Sequence, residues 1–410
     1  MRILLSEGSS TSAREAITVL GLQGHHVEIV DPDPHCIGRF SRFVRRYHRC
    51  PGLGVDPEGF VEFILHLVET RPFDVLLPIH EQGMALSKTQ QRLLRSVSVA
   101  LPSFESYRQA HSKAAFSTLL TELGLPQPAT RLLHSRAEAL ALKEFPIVLK
   151  TAIGTASRGV WFIRTGADLY RAVEEIAAAR GFDEPVLAQE WIEGAIEHAQ
   201  ALFRHGELIG LHAYRQIIRG AGGGDAVKES IHRPELLEHM SRLGRYLDWH
   251  GALSVDYLAP DDDGIYYIDC NPRLVEPMSA FLAGHDLLGA LLKVSIGETP
   301  PPLPPGTIGL RTHLALQALL GCALRSRSRM ELMREARRLV LRKGMYRFSQ
   351  EELTPLQWDW PSITPTVMVA LLLFINPNAA ENMPKRGWGS HLLTPESIRI
   401  IHERIGEGGS

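Results

Sequence analysis

Residues 266–277, YYIDCNPRLVEP, place Asp269, Asn271 and Arg273 at every second position after an apolar run. In an extended chain, alternate side chains leave the backbone on the same side. A carboxylate, an amide oxygen and a guanidinium therefore project together from one strand end. Asp256 stands in the preceding apolar segment, ALSVDYLAP, and the acidic turn DDDG (261–264) joins the two. Pairing of these strands brings Asp256, Asp269 and Asn271 into one set of hard oxygen donors. Such a set suits Mg²⁺ (or Mn²⁺) and leaves positions for water and substrate phosphates. Arg273 beside it suits a bidentate hold on a phosphate or carboxylate. The same alternation turns Cys270 to the opposite face, where it reads as a packed thiol.

A nucleotide site is sought upstream. Lys150 ends the apolar strand PIVLK, and the small-residue loop IGTASRG follows at once. Small residues let backbone N–H groups approach phosphate oxygens, and a lysine adds a point charge. No G-K-[ST] follows, so this is not a Walker A loop. QEWIEG (189–194) ends another strand and offers backbone groups to an adenine edge, with Glu197 in reach of a ribose. Lys113, taken alone, is a helical lysine without an assignable role. No Ser/His/Asp or Cys/His spacing stands out.

The elements that must position these groups read as an α/β chain. RILL (2–5), a small-residue loop, a helix over AREAITVLGL and a strand HVEIV (26–30) make a β-loop-α-β opening of a parallel sheet. A helix over 57–70 and a strand DVLLPI (74–79) follow, with His80 and Glu81 just past its carboxyl end, where ligands bind in open α/β sheets. Helices fill the run from Ser103 to Gly124. Thr165 and Asp168 make a capping box for the next helix, and a helix over 234–248 precedes the acidic strand pair. VMVALLLFI (367–375) is too short to span a membrane and reads as a buried helix, with an interfacial or partner-facing helix as the alternative.

Composition sets outer bounds. The 410 residues are 44% hydrophobic and 22% charged with a formal net charge of -2, which gives no electrostatic case for nucleic acid. Four scattered cysteines without a CxxC pair fit a reducing, cytoplasmic setting. The opening MRILLSEGSS has too short an apolar run for a secretory leader.

The ordered set SKAAFSTLLTELGLPQP, VLKTAIGTASRGV, QEWIEGAIEH, GALSVDYL, YYIDCNPR, VEP and AGHDLL resembles the ATP-grasp superfamily over about residues 1–300. Its pattern is close to biotin carboxylase and the carbamoyl-phosphate synthetase large chain, and its size is closer to single-chain carboxylate–amine ligases. The resemblance implies a Rossmann-like domain (1–101), an ATP-grasp domain (102–305, with a lid over about 129–191) and a C-terminal extension (306–410). It implies that Lys113 and Lys150 contact ATP phosphates, and that the loop Gly154, Thr155, Ser157, Gly159 closes over them. Glu190, Trp191 and Ile192 would meet adenine, and Glu197 the ribose. Asp256 and Asp269, where the family usually has two glutamates, would hold two Mg²⁺ with Asn271. Arg273 and Lys150 would act in catalysis. Glu81, Arg215, Arg273 and Glu276 are the substrate candidates.

The expected activity is ADP-forming ligation of a carboxylic acid to an amine or amino acid through an acyl phosphate, and the resemblance points to a homodimer. The competing reading is a non-catalytic nucleotide-binding scaffold or regulator. A kinase or carboxylating enzyme on the same fold is a third. Beyond residue 305 the chain turns basic, with ten Lys or Arg against two Glu over 311–347, which reads as a solvated or internally packed amphipathic face, with an acidic partner or substrate surface as the alternative.

Overall fold

The computed structural model describes residues 1–154, 159–261, 264–381 and 391–406. Three sheets organise them. The first is wholly parallel, in the order β3 (Val44–Arg49), β2 (His26–Asp31), β1 (Arg2–Leu5), β4 (Val75–Leu77). The helix Thr11–Leu22 crosses between β1 and β2, with Ser10 capping it through the Ala13 N–H. The edge strand β3, VRRYHR, was not foreseen: its side chains are mostly partly exposed, so no apolar run marks it.

The second sheet is antiparallel, in the order β5 (Thr130–Leu133), β8 (Val186–Glu190), β6 (Ile147–Lys150), β7 (Val160–Ile163). The helix Gly166–Ala178 buries Leu169, Val173 and Ile176 in its core, and the Thr165/Asp168 capping box forms.

The third sheet has seven strands: β13 (Tyr266–Asn271), β12 (Gly251–Ala259), β9 (Ala195–Arg204), β10 (Glu207–Arg219), β11 (Asp225–Ile231), β14 (Arg311–His313) and β15 (Gln350–Glu351). A two-residue turn joins β9 to β10. His205 and Gly206 both have positive φ there, the backbone that matches strand twist in a tight hairpin.

The chain beyond residue 305 is woven into the rest. Its strands β14 and β15 extend the third sheet, and Asp359 forms a fully buried ion pair with Arg14 of the first helix. One expectation fails here. The helix Ile363–Ile375 is not buried: Met368 is 60% exposed, Leu371 58% and Ile375 69%. The apolar run continues around the helix, but among the described residues one side meets the neighbouring helices, through Leu373, Val369 and Phe374. No described helix is long and apolar enough to cross a membrane.

Candidate functional site

A cavity of about 900 Å³ lies where the three sheets converge. Its floor is the β12/β13 pair. Asp256 sits directly opposite Asp269, and Ser254 opposite Asn271. Next along, Tyr257 pairs with Tyr267, so Ile268 is an extra, bulged residue. A bulge of this kind redirects side chains. Ile268 and Asp269 both line the cavity, while Tyr267 and Cys270 stay in the core. Asp269, Asn271 and Arg273 reach the cavity together, as their alternation requires.

Both expected lysines converge on this floor. Lys113 starts the helix Lys113–Glu122, and its Nζ donates to Asp269 Oδ1 (2.8 Å) and to the Gly154 carbonyl (3.0 Å). Lys150 ends β6, and its Nζ donates to the bulged Ile268 carbonyl (3.0 Å). Burial pushes the Lys150 ammonium down to about 8, Asp269 opposing and Lys113 adding to the effect. Gly159 sits at φ 76° with its carbonyl accepting the Thr151 N–H. A Cβ there would lie 2.1 Å from Thr151 Oγ1. Gly154 lines the cavity; Thr155 and Ser157 lie outside the described residues.

Glu190, Trp191 and Ile192 line the cavity at the end of β8, where the Glu190 N–H donates to the Ala129 carbonyl. Trp191 meets Phe162 edge-on. Val148, beside Gln189 in the sheet, and the cross-strand pair Ile196 and Leu258 add apolar wall.

Three expected positions turn away: Glu197, Arg215 and Glu81. Glu197 alternates with the cavity-lining Ile196 and His198, so its carboxylate leaves the opposite face of β9. It is fully buried there, bound by Arg233 (2.9 Å) and Arg215 (2.8 Å). That pairing removes both Glu197 and Arg215 from the cavity. Glu81 also lies behind the wall, with its carboxylate accepting the Leu393 N–H, while His80 lines the cavity. Burial and the Arg273 guanidinium hold the His80 imidazole down to about 3, so it is neutral.

Arg273 lines the cavity with no carboxylate partner among the described residues. Its loop is pinned: Ser254 Oγ donates to the Arg273 carbonyl, and Gln200 Nε2 donates to the Val275 and Glu276 carbonyls. Glu276 takes the left-handed backbone (φ 51°) and presents its side chain at the cavity wall. That carboxylate is ion-paired with the fully buried Lys228, which also meets Glu352 (2.8 Å).

His198 was missed. Its Nδ1 lies 2.7 Å from Asp256 Oδ1 and its Nε2 is 3.5 Å from Asp225 Oδ2. Burial alone would lower its pKa, but the two carboxylates raise it well above the usual imidazole value. The signal for it was the parity of β9, which has no meaning until the pairing with β12 is known.

Two carboxylates facing each other across neighbouring strands, with Asn271 beside them (its Nδ2 donates to Asp256 Oδ2, 3.3 Å), offer oxygen donors that fit a hard divalent cation. The lysines and Arg273 around it supply positive charge for phosphate or carboxylate groups.

Residues 110–277 match the family model described as an ATP-grasp domain, and the chain carries that domain there. The carbamoyl phosphate synthase large chain of Thermus thermophilus is 26% identical over 259 residues, which is 58% of this chain and 24% of its own length. The chain thus spans about a quarter of the length of that curated relative. The biotin carboxylase domain of the Hydrogenobacter thermophilus 2-oxoglutarate carboxylase superimposes with a TM-score of 0.60 at 17% identity, over 75% of this chain and 72% of that one. The L-amino acid ligase of Bacillus licheniformis gives 0.56 at 15% identity, over 72% and 74%. At such identities the structural likeness speaks to fold.

Proposed function

We propose that the protein is an ATP-dependent, ADP-forming ligase that joins a carboxylic acid to an amine or amino acid. The observation that carries this reading is the convergence of Lys113, Lys150, Asp256, Asp269, Asn271 and Arg273 on one cavity of nucleotide-plus-substrate size. In this reading Lys113 and Lys150 neutralise ATP phosphates, Gly154 borders them, and Glu190, Trp191 and Ile192 meet the adenine. Asp256, Asp269 and Asn271 would hold Mg²⁺, which when bound screens phosphate charge and aligns the transferred group. Arg273 orients the substrate carboxylate. A carboxylate oxygen attacks the γ-phosphorus, the bond to the β-bridging oxygen breaks, and ADP leaves. The amine nitrogen then attacks the acyl carbon, the carbon–oxygen bond to phosphate breaks, and inorganic phosphate departs with the amine proton lost to solvent. The chain contributes positioning and charge.

The test is ADP release from Mg-ATP across acids and amines offered singly and in pairs. Release that needs one acid and one amine supports the ligase. Release with ATP and one substrate alone, yielding a stable phosphorylated product, would support a kinase instead. In the active pair, Asp269→Ala is expected to lower turnover at least about a hundredfold while the fold persists; unchanged turnover would refute the metal assignment.

A further inference from the structure

The cavity does not end at the β12/β13 floor. β13, β12, β9, β10 and β11 lie side by side, and Asp269, Asp256, His198, Tyr214 and Asp225, one from each, all line it. At about 4.8 Å per strand it runs roughly 19 Å across the sheet. Its far end is closed by the chain beyond residue 305. The helix Ala315–Ser326 packs on β11 and on the turn Ala221–Gly223, where Gln317 Oε1 accepts the Ala221 N–H (2.9 Å). Leu316 and Leu320, one helical turn apart, flank Gln317 and reach the cavity with it. Val369, on the inner side of the helix Ile363–Ile375, shares a core cluster with both leucines and lines the cavity too. That helix also packs on the short turn Ile37–Phe40, and Ile37 adds another apolar side chain to the wall. Leu316, Val369 and Ile37 are only half-buried, so each keeps bare apolar surface.

The polar groups around this end are committed elsewhere. Asp225 is buried between His198 (3.5 Å) and Gln216. Ser9 Oγ donates to Asp31 and Ser10 Oγ to Glu7, while Ser12 Oγ accepts the Glu276 N–H (3.1 Å). Arg219 and His35 are exposed, and Asp33 faces His35 (3.7 Å), which leaves these charges at the rim. A charged side chain entering here would lose water and gain no buried partner, whereas an apolar one would gain contact. We infer that this end seats a large apolar side chain, aliphatic or aromatic, carried by one of the two joined substrates. Leu316, Leu320, Val369 and Ile37 set that preference, and the inference rests on the proposed ligase reading.

The test offers the full chain, with Mg-ATP, two series of probes. One is alanine, leucine, phenylalanine, aspartate and lysine; the other is the deaminated acids propionate, isocaproate and hydrocinnamate. Calorimetry reads binding, and ADP release is followed in acid–amine pairs. Leucine and phenylalanine, or isocaproate and hydrocinnamate, are expected to bind at least about tenfold more tightly than alanine or propionate, because several methylenes leave water. Aspartate and lysine should bind no better than alanine. Tight binding of a deaminated acid would put the apolar group on the acid partner; tight binding of the amino acids alone would put it on an amino acid. Val369→Phe, which narrows this end, should lower the leucine-to-alanine ratio at least about tenfold. Leu316→Ala, which widens it, should raise the phenylalanine-to-leucine ratio. Retained ATP binding would show that both variants are folded. Equal binding across both series, a preference for charged side chains, no binding at all, or ratios that neither variant moves overturns the inference. The expected binding preference without ADP release from any pair keeps it and counts against the ligase reading. ADP release from pairs of small or charged substrates alone keeps the ligase and overturns the inference.

Discussion

At Lys150 the proposed function and stability oppose each other. Its ammonium is buried, held down to about 8, with one hydrogen bond to the Ile268 carbonyl. Below that pH the folded chain carries a desolvated cation that unfolding returns to water. The lysine therefore destabilises the fold at neutral pH, and the penalty fades as pH rises from about 8 towards its ordinary 10.5. Lys150→Met is expected to raise unfolding stability at pH 7 by about 2 kcal/mol and to weaken ATP binding at least about tenfold. Urea denaturation and calorimetry measure the two. A stability loss would mean that the hydrogen bond outweighs desolvation.

At the scale of elements, the site depends on how strand ends are held. Gly194 lies between β8 and β9, against the end of β12, where a Cβ would meet the Ala259 and Pro260 backbone at 2.8 Å. Neither neighbour is a flexible side-chain tip. Gly194→Ala should push the Glu190–Ile192 segment off the sheet, costing about 1–3 kcal/mol, and should lower nucleotide affinity more than it lowers turnover at saturating ATP. Equal stability and affinity would show that the turn relaxes freely. The bulge at Ile268 was invisible in YYIDCN, because a bulge is a property of the pairing with β12 and not of one strand. The alternation from Asp269 to Arg273 was legible because it lies beyond the bulge.

Across the whole molecule, buried charge ties the C-terminal region to the rest. Arg14 and Asp359 are both fully buried, and Asp359 also takes the Arg42 N–H (2.9 Å). Arg14→Met leaves that carboxylate unpaired and should cost about 3–5 kcal/mol, read as a lower midpoint of thermal unfolding. Lys228, Glu276 and Glu352 form a second tie, with Glu15 close by. Burial raises Glu352 to about 7, with Lys228 opposing and Glu276 adding. The folded chain then holds a proton that the unfolded chain releases near 4.5. Stability should fall as pH rises from about 4.5 through about 7. Glu352→Gln keeps that site neutral, so the fall measured between about pH 5 and pH 8 should shrink by about 2 kcal/mol. An unchanged slope would place the proton elsewhere in the cluster, on Glu15 or Glu276.

By itself the sequence determined the features that are local. Apolar runs, caps and turn residues marked most strands and helices, and the period of two put Asp269, Asn271 and Arg273 on one side. The order of motifs marked the segment that matches the ATP-grasp domain. Tertiary structure decided what depends on register and on partners distant in the chain. Glu197 faces Arg215 and Arg233 and not the cavity, because pairing of β9 with β10 and β12 fixes which parity looks inward. His198 gains its place for the same reason. The apolar helix near residue 370 is exposed because burial depends on what packs against a segment, and the described residues of the core cluster meet one of its sides.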